Sequence, residues 1–163
     1  MPLSTVPAMR RTYPMVEYSD EGVFPLARPA LWKFLEMHTD SAAITQIHPD
    51  ILQQELVSRA DSAVVVDRRI RARKKQLTSR WKFTSQPPDL LRWEIIGGEG
   101  PMAPGSWLAN TYSEAPGGTL VRTQGEVNIL GVPGFLQRRI VRNAMHDIDH
   151  QDLGYVQYRT FTP

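Results

Sequence analysis

The chain has 163 residues and no cysteine, so one domain around one core is expected, and thiol nucleophiles, disulfide scaffolds and Cys-ligated metal sites are excluded. A hydrophobic share of 41% and a charged share of 22% exclude a disordered or collagen-like chain. Nineteen Lys and Arg against seventeen Asp and Glu leave a formal charge of +2, too small to argue for nucleic acid unless the basic residues cluster.

Residues 1–11 show no periodicity and are expected to form a loose tail ahead of one domain over 12–163. No apolar run reaches the eighteen or so residues of a membrane span, and Met1 to Arg11 lacks a signal-peptide stretch, so a cytoplasmic location is expected. Tyr13 to Leu26 reads as a strand that the Asp20-Glu21-Gly22 turn signal can interrupt. Pro29 suits a first helical turn, and Leu31, Trp32, Phe34 and Leu35 follow at helical spacing, which predicts a helix over Pro29 to Met37. A second helical turn, Ser41 to Ile47, ends before His48-Pro49 because a residue ahead of proline avoids the α region.

From Ile51 to Ile129 the period is two. Val64, Val66, Ile70 and Ala72 share one face, interrupted by Arg68. Leu77, Ser79, Trp81 and Phe83 share the next. After the Pro87-Pro88-Asp89 turn come Leu91, Trp93 and Ile95, and the Gly97 to Pro101 run breaks that strand. A strand over Ser106 to Ser113, the Ala115-Pro116-Gly117-Gly118 turn, and the inward set Val121, Thr123, Gly125, Val127 and Ile129 complete the series. Such alternation predicts an antiparallel sheet with one face on a core and one in water. After Gly131-Val132-Pro133-Gly134 a helical period holds to Tyr158, some 25 residues or about 37 Å. Val141, Ala144, Met145, Ile148 and Tyr155 lie on one side of it, with Arg139, Asn143, His146 and His150 opposite. The order of strand, two short helices, about six strands and one long helix implies an α+β fold, a curved antiparallel sheet of about seven strands gripping the C-terminal helix.

This order, with Ala27-Arg28-Pro29-Ala30-Leu31-Trp32 opening the first helix, Gly117-Gly118-Thr119-Leu120-Val121 beginning the last strand and Asp149-His150-Gln151-Asp152-Leu153 on the long helix, resembles the START-like helix-grip superfamily. That superfamily includes polyketide cyclases and dehydrases, lipid-transfer domains and the major pollen allergens. The resemblance spans residues 13–160 and implies a deep, mainly apolar cavity between sheet and C-terminal helix. A lipid, polyketide, quinone or similar hydrophobic molecule is the partner it implies, with no cofactor.

Large inward rings at Trp81, Phe83, Trp93 and Trp107 face small residues at Ala144, Gly125, Thr123 and Ser79, so the enclosed volume either stays open or is filled by the rings themselves; an open cavity is the expectation. Its expected lining is Arg68, Ser79, Trp81, Phe83, Trp93, Trp107, Thr123, Val141, Met145, Ile148 and Tyr155. Arg68, Asp152 and Tyr155 are the candidate catalytic groups, since inward polar side chains need a partner. Arg68 can pair with a ligand carboxylate or with Asp152, while Tyr155 and Asp152 can act as acid and base on an enolisable substrate. Gln54 and Gln137 are weaker candidates of the same kind.

His146 and His150 stand at i and i+4, a metal-binding spacing, but on the solvated side of the helix, so no metal site is expected. Six of the eight residues from Arg68 to Lys75 are basic, a charged hairpin without interleaved aromatics that argues against nucleic acid. Two functions stay open: a carrier or binder of a hydrophobic small molecule, and a cyclase or dehydratase acting through inward polar residues of the same cavity.

Overall fold

The computed structural model describes residues 14–157. Seven strands form one antiparallel sheet in the order β1-β7-β6-β5-β4-β3-β2: β1 (Val16–Phe24), β2 (Ile51–Arg59), β3 (Ala63–Ala72), β4 (Lys75–Gln86), β5 (Leu90–Gly98), β6 (Trp107–Ala115) and β7 (Gly118–Val127). Strands β2 to β7 make a meander, and β1 pairs with β7 from Val16↔Val127 to Phe24↔Thr119. The Asp20-Glu21-Gly22 signal does not interrupt β1, because the pairing with β7 continues through Asp20↔Thr123 and Gly22↔Val121. The tail expected over residues 1–11 lies outside the described residues.

Two-residue turns explain the register of two hairpins. Pro116-Gly117 joins Ala115 to Gly118, with Gly117 at φ 87° in the conformation glycine adopts without strain. Arg73-Lys74 joins Ala72 to Lys75, and there Arg73 takes φ 56°. At Gly125 a Cβ would collide with the Trp107 carbonyl, so only glycine lets β7 approach β6 at this point.

Helices α1 (Arg28–Glu36) and α2 (Ser41–Ile47) flank a three-residue 3-10 turn, Met37–Thr39. Pro29 sits in the first turn of α1. Asp40 caps α2, its Oδ1 accepting from the Ala42 and Ala43 amides at 2.9 Å each. Helix α3 runs Gly134–Val156. Its first turn is tied to the end of β7 by Gln137, which accepts from the Ile129 amide and donates to the Ile129 and Val132 carbonyls, all at 2.8 Å. Val141 then seats α3 on Tyr18, Leu108 and Val127. A second cluster, Leu31, Phe34, Ile47 and Tyr112, packs α1 and α2 against β6, and a third gathers Val66, Trp81, Phe83 and Ile95 on the central strands. Among the described residues, no helix is long and apolar enough to cross a membrane.

Candidate functional site

The sheet interior divides into a packed half and an open half. On β3 to β5 the strand period turns Arg68, Ser79, Trp81, Phe83 and Trp93 inward, as expected. Their rings stack: Trp81 and Phe83 are 6.2 Å apart at 11°, and Trp81 and Trp93 are 4.9 Å apart. The Arg68 guanidinium carbon lies 4.9 Å from the Trp81 ring centre and 4.8 Å from that of Phe83. Ser79 Oγ accepts from Trp81 Nε1 at 2.9 Å, which commits that hydroxyl to holding the ring.

Open volume lies on both sides of α1, and the better-enclosed part is toward the β1 edge of the sheet. A cavity of about 310 Å³ is bounded by β1, β6, β7, α1 and α3, with Phe24, Leu31, Phe34, Tyr112, Val121 and Met145 as apolar walls. Asn110, Thr123 and Asp152 are polar points of its wall, and Asp20, Glu21, His146 and Asp149 are exposed residues that also line it. Thr123 Oγ1 donates to Asn110 Oδ1 at 2.7 Å. Tyr112 Oη is buried beside Asn110 but makes no hydrogen bond of good geometry, and burial pushes its pKa up. Asp149 reaches the cavity from the rim; burial, reinforced by the Asp152 charge, pushes its pKa up to about 6. A wider cleft of about 790 Å³ lies on the far side of α1 and shares Leu35 with this cavity.

A buried polar node adjoins the cavity. Asp152 Oδ1 sits 2.9 Å from His48 Nε2 and 3.3 Å from His38 Nε2, and His48 Nδ1 is hydrogen-bonded to Gln151 Oε1. Burial alone raises a carboxylate's pKa, but the two imidazole hydrogen bonds outweigh it and hold Asp152 below the usual range. Burial likewise opposes charge on His48, and the Asp152 hydrogen bond and charge, with the Gln151 oxygen, more than offset it and raise its pKa. Arg68 does not pair with Asp152. Its Nε donates to Gln54 Oε1 at 2.7 Å and its Nη2 to the His38 carbonyl at 2.8 Å. Burial pulls the Arg68 pKa down to about 9, so the group stays cationic at neutral pH.

Of the residues expected to line one cavity, Thr123 and Met145 border the cavity at β6, β7 and α3, and Phe83 borders the wider cleft. Arg68, Ser79, Trp81, Phe83 and Trp93 form the packed half, Val141 belongs to the core that seats α3, and Tyr155 packs on Phe34 with ring centres 5.9 Å apart. Two expectations are corrected. Trp107 shares the outer face with Glu94 and Glu126, and Arg92 covers its ring at 4.3 Å, an outer-face partner that removes the need for burial. Ile148 is 38% exposed, between the exposed Asp147 and Asp149 on α3. Gln54 and Gln137 serve structural hydrogen bonds. His146 and His150 are exposed, and His146 Nε2 approaches Asp20 Oδ2 at 3.4 Å on the cavity rim. The basic run loses Arg68 to the interior, while Arg69, Arg71, Arg73, Lys74 and Lys75 remain exposed.

Missed by the sequence reading were His38 and His48, one in a three-residue turn and the other closing a short helix, where no period assigns a face. The available signal was Asp152 itself, an inward carboxylate that needed donors.

A seven-stranded antiparallel sheet gripping one long helix, with two short helices after the first strand and a cavity where they meet, is the START-like helix-grip fold. Solved structures share it. Ara h 8.0201 superposes with a TM-score of 0.72 at 16% identity, over 90% of this chain and 100% of that one. A START superfamily protein from Mycobacterium smegmatis gives 0.67 at 15%, over 90% and 99%. The Zhui aromatase/cyclase from Streptomyces sp. R1128 gives 0.65 at 9%, over 86% and 90%. No protein-family model matches the chain, and no curated protein matches its sequence. At these identities the likeness establishes the fold, and function has to be argued from the site.

Proposed function

We propose that this protein binds a compact hydrophobic small molecule in the cavity between α1, α3 and strands β1, β6 and β7. The observation that carries the reading is the cavity itself: apolar walls around one buried hydroxyl, Tyr112 Oη, without a well-formed hydrogen bond. A ligand oxygen or nitrogen beside Tyr112 and Asn110 would satisfy it, while Phe24, Leu31, Phe34 and Val121 take the apolar body. At about 310 Å³ the cavity sits at the low end of the roughly 300–1,000 Å³ of small-molecule sites, which favours a ring system of polyketide or quinone type over a long acyl chain. Native mass spectrometry of the protein as purified from cells, with extraction and identification of any bound compound, tests this. A single compact hydrophobe per chain is expected; a long-chain lipid as the bound species would overturn the proposed ligand class.

A cyclase or dehydratase activity is the second reading, favoured by one observation: Asp149, with its pKa near 6, faces the same cavity and could exchange a proton with an enolisable ligand. In this reading the acid moves from the sequence candidates Arg68, Asp152 and Tyr155 to Asp149. Turnover of the extracted compound that survives Asp149→Asn at the wild-type rate would remove Asp149 from the chemistry.

A further inference from the structure

His38, His48 and Asp152 come from three elements, the 3-10 turn, the end of α2 and α3, yet their polar atoms converge. Both Nε2 atoms face the same carboxylate oxygen, at 3.3 and 2.9 Å, and one donor atom from each residue lies within 4.8 Å of the other two. With metal–ligand bonds of about 2.0–2.1 Å, neighbouring ligand atoms stand about 3.0 Å apart in an octahedron and about 3.3–3.4 Å apart in a tetrahedron. Two edges of a coordination polyhedron are therefore already near the required length, and the third, up to 4.8 Å, must shorten to below about 4.2 Å, the most that two such bonds span, so the two imidazoles draw together on the ion.

The hydrogen inventory leaves one place for a positive particle, filled by a proton when no metal is bound. With the Gln151 amide oxygen turned toward His48, Nδ1 is the donor to it, and in that tautomer a neutral His48 presents a bare lone pair from Nε2 to Asp152 Oδ1. Two lone pairs 2.9 Å apart repel unless a positive particle lies between them, which is either a second ring proton or a metal ion. An imidazole whose other nitrogen donates to a side-chain oxygen is the arrangement that orients metal-bound histidines.

The geometry points to a site for one divalent first-row transition ion, of the Zn²⁺ or Fe²⁺ class, bound by His38, His48 and Asp152 with Gln151 orienting His48. Two imidazoles and one carboxylate suit these ions, and three protein ligands leave coordination positions for water or for a ligand atom. Asp152 also belongs to the cavity wall, so the ion sits at the cavity's edge. Arg68 holds the turn that carries His38 by donating to the His38 carbonyl at 2.8 Å, and its positive charge opposes the ion.

The test is titration of the chelator-treated full chain with Zn²⁺ by calorimetry and with Co²⁺ by visible absorption. The chain's other two histidines, His146 and His150, are exposed one helical turn apart and are the competing site. One equivalent should bind, the Co²⁺ bands should report nitrogen and oxygen ligands, and the H146Q/H150Q double variant should keep both. Gln151→Ala should weaken binding about 10- to 100-fold. His48→Gln and Asp152→Asn should abolish it, along with the rise in Tm that bound metal gives. Should those two variants fail to fold, the wild-type Co²⁺ spectrum, the H146Q/H150Q titration and Gln151→Ala still decide. The proposal is overturned if Zn²⁺, Co²⁺ and Fe²⁺ all fail to bind stoichiometrically, which would leave the cluster bridged by protons. It is equally overturned if binding is lost in H146Q/H150Q, an adventitious ion only.

Discussion

Gln137 satisfies three backbone groups with one side chain, one of which, the Ile129 carbonyl, also accepts from the Val132 amide at 3.3 Å. Gln137→Leu keeps the volume but takes this partner from the Ile129 amide and the Val132 carbonyl, so it should cost about 1–3 kcal/mol, read by urea unfolding. Asp149 behaves differently because its pKa in the folded protein, about 6, lies above its ordinary value near 3.8. The folded state therefore favours the protonated acid, and that contribution is present below about pH 4 and lost as pH rises through about 6. In metal-free protein, Asp149→Asn should match wild-type Tm at the acid end and exceed it above neutrality, the gap opening between those pH values; a pH-independent gap would contradict the placement of Asp149 against the cavity. These residues also mark where sequence reasoning stops. The inward turn of Arg68 followed from the two-residue period of β3, because both neighbours on its face, Val66 and Ile70, are apolar. Trp107 departs from the expected inward set because it is one residue out of phase with the buried Leu108 and Tyr112, which sends it outward to Arg92.

Among the elements, the β3–β4 hairpin carries a visible conflict between residue type and conformation. Arg73 holds a positive φ that costs a residue with a Cβ, and it does so amid exposed like charges. Arg73→Gly should raise stability by about 0.5–1 kcal/mol by thermal or urea unfolding, with the register of the hairpin unchanged. Strand and helix positions were legible where a period ran for several residues: the second helix falls on Ser41–Ile47, and the long helix on Gly134–Val156, close to the predicted end at Tyr158. Short elements gave less. His38 and His48 occupy a turn and a helix end, and their shared partner Asp152 lies more than a hundred residues away, a pairing that only the folded chain creates.

Across the whole molecule, the same sheet does two jobs along its width. In the middle of β3 to β5 the aromatic rings and Arg68 pack on one another, while the ends of these strands border the wider cleft beside α1; strands β6, β7 and β1 leave volume under α1 and α3. The element order made the helix-grip architecture readable from sequence, because one long amphipathic helix had only one apolar surface to meet. Which half of the interior would stay open was not readable, since Trp81, Phe83 and Trp93 could equally have lined a cavity or filled it, and their mutual stacking geometry decides it. The central claim, that the open half is a ligand site, is tested most directly by titrating the fluorescent apolar anion 8-anilinonaphthalene-1-sulfonate into the wild-type protein and Val121→Trp. The indole should occupy the cavity, so saturable one-site binding in the wild type should weaken about tenfold or more in the variant while its Tm holds, a loss of about 1.4 kcal/mol or more. Equal affinity in the two proteins, or no saturable binding in the wild type, would contradict it.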